Sequence, residues 1–200
     1  MRLRSHHGKR RRNRGRARKT ASRPGASSIG VCGEFHDSGA ERTMIDKACF
    51  KKNFGRILAA AGFRNQGQSW YLDGRDAIVV LNLQKSDYDD KYYFNFGIWL
   101  KTLGEAVFPK KHHCHIAGRV DAIFEDEIEL VERGGRINTE EHVHYERLLA
   151  FFQDQVVPYC RGCLCSAALA AKLEAGEFRG VLVMKTARVA LPGASLAAST

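Results

Sequence analysis

Apolar and polar positions alternate along this chain with two different periods, and the change of period marks its elements. In "TMIDKACFKKNFGRILAAAGF", Phe50, Phe54, Ile57, Leu58 and Ala61 recur at helical spacing, so residues 44–61 predict an amphipathic helix. Thr43 with Asp46 resembles a capping box, and Gly62 is the expected stop. The period then drops to two. "QSWYLDGRDAIVVLNLQK" predicts a hairpin turning at Asp73-Gly74, and residues 76–85 and 91–101 predict a second hairpin around Asp87–Asp90. After the break at Pro109, "HCHIAGRV" at 113–120 alternates again as a fourth strand. "EDEIELVERGGR" predicts a loop or short helix ending at Gly134-Gly135. Residues 139–158 predict a helix capped by Asn138 or Thr139 and ended by Pro158; "SAALAAKLEAGEF" predicts a short helix stopping at Gly176, and "GVLVMKTARVAL" a third helical segment. The simplest solution is α+β: an antiparallel meander of about four strands with the N-terminal and C-terminal helices mainly on one face.

The second hairpin poses a puzzle, because Asn82, Gln84 and Asn95 interrupt strands that otherwise want large apolar residues. Register resolves it. With a four-residue turn at 87–90, Leu83 meets Phe94, Leu81 meets Phe96, Val79 meets Ile98 and Ala77 meets Leu100, which makes one wholly apolar face for the core. The same register pairs Gln84 with Tyr93, Asn82 with Asn95, Val80 with Gly97 and Ile78 with Trp99 on the second face. On the fourth strand Cys114, Ile116, Gly118 and Val120 are expected on the core face, with His113, His115, Ala117 and Arg119 on the amide face. Asn82, Gln84, Tyr93, Asn95, Trp99, His115 and Arg119 are therefore the candidate ligand- or partner-binding residues. The alternative is purely structural. Asn–Asn and Gln–Tyr cross-strand pairs stabilise sheets, and the 139–158 helix or the 121–137 segment could cover this face, which would remove it as a site.

Charge changes the picture less than its total suggests. Of the net +10, residues 1–43 carry +9 from twelve Lys+Arg against three Asp+Glu, and residues 44–200 only +1. The expected organisation is a basic disordered tail at 1–43, a single domain at 44–192 and a disordered end at 193–200. The tail reads either as an Arg-rich arm that contacts nucleic acid through phosphates or as sequence upstream of a true start at Met44. No run approaches the roughly 18 apolar residues of a spanning helix, and no membrane partner is expected. Six cysteines without a secretory signal point to a cytoplasmic protein with reduced thiols.

"HHCH" at 112–115, "HVH" at 142–144 and "CRGCLC" at 160–165 carry zinc-ligand chemistry. Their spacing works against it. Cys114 points away from His113 and His115 on a strand, His142 and His144 diverge on a helix, and Cys160-x-x-Cys163 has no second pair at the usual distance. No metal and no cofactor is expected. Nucleophile, phosphate-loop, dinucleotide and paired-carboxylate motifs are absent from the sequence, so no catalytic residue is named.

"FKKNFGRILAAAGF", the following Trp70-Tyr71, "VLNLQKS…YYFNFGIWL" and "CHIAGRV" together resemble a bacterial family, domain of unknown function 4304, over about residues 44 to 190. The resemblance is most specific at Leu83–Ser86, Tyr93, Asn95, Gly97 and His115–Arg119. It implies a bacterial, cytoplasmic, compact α+β domain and supplies no mechanism; the tail and the Cys160–Cys165 cluster depart from it. Three functions remain open: a non-enzymatic protein-binding or regulatory module, immunity-like in kind, using the polar-aromatic face; an enzyme or small-ligand or anion binder with a pocket around His115, Arg119, Asn82 and Asn95; and nucleic-acid binding through the tail.

Overall fold

A computed structural model describes residues 44–191, so both expected tails lie outside the described residues. Helix α1 (Lys47–Ala60) starts at Asp46, whose Oδ1 accepts from the Cys49 N–H at 2.7 Å. The cap is thus Asp46 itself, and Thr43 lies outside the described residues. Phe50, Phe54 and Leu58 are buried from this helix as its periodicity requires.

The sheet is an antiparallel meander of six strands in chain order: β1 (Arg64–Gln66), β2 (Ser69–Asp73), β3 (Ala77–Lys85), β4 (Tyr92–Leu100), β5 (Ile116–Arg119) and β6 (Leu182–Val183). Two strands exceed the expected number. β1 is three exposed polar residues with no apolar alternation to read, and β6 is a two-residue edge at the start of a segment expected to be helical throughout.

The β3–β4 register is the expected one at every position, from Ala77 opposite Leu100 to Gln84 opposite Tyr93. The turn also closes as expected, with the Ser86 N–H on the Lys91 carbonyl at 2.9 Å. Buried Ser86 holds it by accepting at Oγ from the N–H groups of Tyr88 and Asp89. The β2–β3 turn is longer than Asp73-Gly74 alone. It runs Gly74–Asp76 because Asp76 is used elsewhere: its Oδ2 accepts from the N–H (2.9 Å) and hydroxyl (3.0 Å) of Ser166, the first residue of α5 (Ser166–Glu174), and thereby caps that helix.

Between β5 and α5 the chain forms α2 (Ile128–Gly134, closed at Gly135) and α3 (His142–Phe151). Pro158 does not end the third helix. A π-helical stretch, Phe152–Val156, follows α3, and α4 (Val157–Gly162) continues it. In the π turn the Val157 N–H reaches back five residues to the Phe152 carbonyl. That wider turn accommodates the proline ring, which lacks an N–H and would clash with a regular i−4 carbonyl. Helix α5 ends before Gly176, at φ +77°, and α6 (Lys185–Ala190) follows β6.

The helices cover one face of the sheet. Phe54 and Phe152 pack at 4.9 Å between ring centroids, and Phe94 lies 5.5 Å from Phe54 and 4.9 Å from Phe152. Leu81, Leu83, Phe96 and Ile98 complete this core. Burying each such side chain is worth about 1.5–3 kcal/mol before entropy, and this is what fixes the sheet's face assignment. Cys160 and Cys163 are buried in the same core. No helix among the described residues is long and apolar enough alone to cross a membrane; the bent pair His142–Gly162 and Ser166–Glu174 passes by composition together, with its large side chains Leu148, Phe152 and Leu169 inside the core.

Candidate binding face

On the second face, register aligns one polar row across five strands: Gln66, Ser69, Asn82, Asn95 and Arg119. A neighbouring row, Tyr71, Val80, Gly97 and Ala117, is apolar. The two rows have different fates. The connection between β4 and β5, residues 101–115, folds back over the apolar row as a strap. Phe108 packs edge-on to Tyr71 at 5.0 Å, and Cys114 joins Tyr71, Ile78 and Val80 in a small second core.

Cys114 therefore lies on the second face, not on the main-core face that strict alternation assigns it. Lys111–His113 is a tight 3-10 turn and the strand begins only at Ile116, so the alternation does not extend back to Cys114. Gly97 is what lets the strap sit down. A Cβ there would stand 2.8 Å from Cys114 Sγ. Burial pushes the Cys114 thiol up to about 12, against a smaller lowering by the Lys111 charge.

Asn95 is the hub of the polar row and is itself buried. Its Nδ2 donates to Asn82 Oδ1 (3.2 Å) and to Gln84 Oε1 (3.1 Å), while its Oδ1 accepts from Lys111 Nζ (3.1 Å). Asn82 Nδ2 in turn donates to Ser69 Oγ (2.9 Å) and to the Gln68 carbonyl (3.1 Å). The amides thus form a chain from the β1–β2 turn to the strap. Tyr93 carries Arg119 over its ring at 4.5 Å and Lys91 at 5.1 Å, both within cation–π reach. Arg119 is also held by Asp121, with Nε 2.9 Å from Oδ1.

Of the seven candidate residues, then, five converge: Asn82, Gln84, Tyr93, Asn95 and Arg119. Trp99 and His115 form a separate pair, ring centroids 4.4 Å apart. Trp99 donates to the Gly104 carbonyl at 3.1 Å and so anchors the strap's start. His115 is buried, and its Nδ1 accepts from the Leu100 N–H at 3.0 Å. Burial lowers its pKa, which keeps the ring neutral and suited to that acceptor role. Four residues separate it from Arg119, roughly 13 Å along a strand. Lys111, Ser69 and Gln66 were not among the candidates. Ser69 and Gln66 follow from register once β1 is known; Lys111 sits in an aperiodic loop that carries no such signal.

Among the described residues no three His, Cys, Asp or Glu side chains converge in a way that could hold a metal ion. The histidine and cysteine leads accordingly disperse: Cys160 and Cys163 into the core, His112 and His113 to the exposed strap.

A family model described as Domain of unknown function (DUF4304) matches residues 54–161. The chain belongs to this family. The DUF4304 segment contains all of β1 to β5, the strap and the whole polar row, whereas α5, β6 and α6 lie beyond it. No curated protein and no solved structure matches the chain significantly.

Proposed function

We propose that this DUF4304 protein is a non-enzymatic binding module that docks a partner protein on the open half of its second sheet face. The observation that carries this reading is the split of that face. The strap covers the apolar row and is tied at its border by Lys111 to Asn95, leaving half-buried Tyr93 beneath two cations beside exposed Gln84. Gln84 is held through its Oε1 by Asn95, and its Nε2 has no partner among the described residues. Such a surface offers an aromatic ring and fixed hydrogen-bond donors at little ordering cost, which favours recognition. The groups nearby that could do chemistry are committed to structure: His115 Nδ1 to a backbone N–H, Asp121 to Arg119, and Cys114 to a buried, protonated state.

The test is site-specific photocrosslinking in the source cells. A photoreactive residue at Gln84 or Tyr93 is expected to give the same discrete adduct. One at Gln153, exposed on the helical layer, is expected to give none. Arg119→Ala should weaken the adduct without unfolding the chain. Equal labelling from Gln84 and Gln153, or no discrete adduct from the sheet positions, sinks the proposal.

A further inference from the structure

On the other side of the sheet, a groove of about 500 Å³ opens between α1 and the β1–β2 hairpin. Its floor is Gly55, Ala59, Phe63 and Trp70, and its rim includes Lys51, Lys52 and Gln68. Three features distinguish it from an ordinary surface crease. Trp70 is only 5% exposed, and what it exposes includes its indole N–H, which has no protein hydrogen-bond partner among the described residues. Gly55 presents no side chain over that indole: a Cβ there would lie 3.8 Å from Nε1 and 3.7 Å from Cζ2. The ammonium groups of Lys51 and Lys52 have no acidic partner among the described residues, and the Gln68 side-chain amide has no partner there either.

We propose that this groove binds a small organic oxyanion, with the anionic group accepting from Trp70 Nε1–H and facing Lys51 and Lys52, and its apolar body on Phe63 and Ala59. A ligand acceptor can take the place of water on the groove-facing indole donor, and negative charge matches the unpaired ammonium groups. The apolar floor asks for more than a bare inorganic ion. Carboxylates and phosphate esters share this chemistry. The site faces away from the polar row, so it stands or falls independently of the partner-docking reading.

The test uses the full ¹⁵N-labelled chain. Its two tryptophans give two indole N–H cross-peaks, assigned with Trp70→Phe. Phenyl phosphate and benzoate are titrated, with benzyl alcohol as the neutral control. The Trp70 peak is expected to move saturably with at least one anion while the Trp99 peak, already bonded to Gly104, stays. Which anion moves it identifies the source. Lys51→Gln/Lys52→Gln should weaken binding roughly fivefold or more. Gly55→Ala makes only ordinary contacts, so the chain folds, but it fills the floor beside the indole and should weaken binding roughly tenfold. The proposal is overturned by a static Trp70 peak at about 10 mM of both anions, well above fragment-level affinity. An equal response to benzyl alcohol, or wild-type affinity in either variant, overturns it as well.

Discussion

Replacing Gly97 by alanine tests the central claim about the second face, that the strap is seated on a missing side chain. Gly97 lies mid-strand in β4, opposite Val80 and Ala117. In a strand interior, alanine would ordinarily gain about 0.5–1 kcal/mol over glycine. Here the new Cβ would meet Cys114 Sγ at 2.8 Å and Cys114 Cβ at 3.1 Å, with the Lys111 carbonyl at 3.7 Å. Cys114 has little room to retreat, being 1% exposed among Tyr71, Ile78 and Val80. The strap must lift. Overpacking of this kind costs about 1–3 kcal/mol, so the net expectation is a loss of about 1–2 kcal/mol in place of a gain. Urea unfolding measures it. Repeating the substitution in a Cys114→Ala background removes the nearest atom and should reduce the cost by about 1 kcal/mol, a coupling that only neighbours show. Alkylation followed by peptide mapping supplies an independent readout: Cys114 should be protected in the native chain and react faster in the Gly97→Ala variant. A Gly97→Ala variant that matches or exceeds the native stability, or whose cost is unchanged without the Cys114 sulfur, would refute a strap seated on Gly97.

Two pH dependences follow from the same structure. The hydrogen bonds from Arg75 and then from the Ser166 N–H hold the Asp76 carboxyl at about 2, below its usual 3.8. A depressed carboxyl stabilises the fold above its unfolded pKa and loses that contribution as pH falls through the folded one; the stability gap between the native chain and Asp76→Asn should therefore narrow from about pH 4 to about pH 2, and a constant gap in acid unfolding would contradict the capping role. His115 works with the opposite charge type. Burial lowers its pKa, so below the ordinary 6.5 the unfolded chain takes up the proton more readily and stability falls. Protonation also removes the Nδ1 lone pair that accepts from Leu100. Unfolding curves at pH 7.5 and pH 5.5 should show a loss in the native chain that His115→Gln reduces.

What could be read from the sequence depended on whether a residue's role was local or set by a distant neighbour. The β3–β4 register was readable because strict alternation met a four-residue turn, and a slip by one would have put Asn82 and Gln84 into the core beside Phe54 and Phe152. Gly176 marked its helix end for an equally local reason, its positive φ. The strap was not readable. Residues 101–115 have no period, and what holds them is Trp99 on Gly104, Lys111 on Asn95 and the gap at Gly97. Cys114 was misassigned for that reason: alternation was extended into a segment that turns. Pro158 was read as a stop because a proline in a regular helix is one, and only the π turn at 152–156 makes room for it. Within the candidate site, sequence alternation brought Asn82, Gln84, Tyr93, Asn95 and Arg119 to one face correctly. It also included His115, whose burial against Trp99 depends on where the strap begins.

The polar row and the strap explain each other. An apolar row on an antiparallel sheet needs a cover, and a cover made of loop needs a defined edge, or it would spread over the whole face. Lys111 provides that edge by reaching the one buried amide of the row, Asn95, whose remaining hydrogen bonds are already spent on Asn82 and Gln84. Removing the Asn95 amide would leave the Lys111 ammonium, the Asn82 oxygen and the Gln84 oxygen each without its protein partner. The row therefore does two jobs with one set of atoms. It ends the covered half of the face, and it holds Gln84 beside Tyr93 at the start of the open half. Amides suit this position where Val or Ser would not: an amide carries both donors and an acceptor, so it can bond to neighbours along the row and to the strap at the same time. The three amides that seemed to spoil a strand pair are the boundary between the half of this sheet face that the strap covers and the half it leaves open.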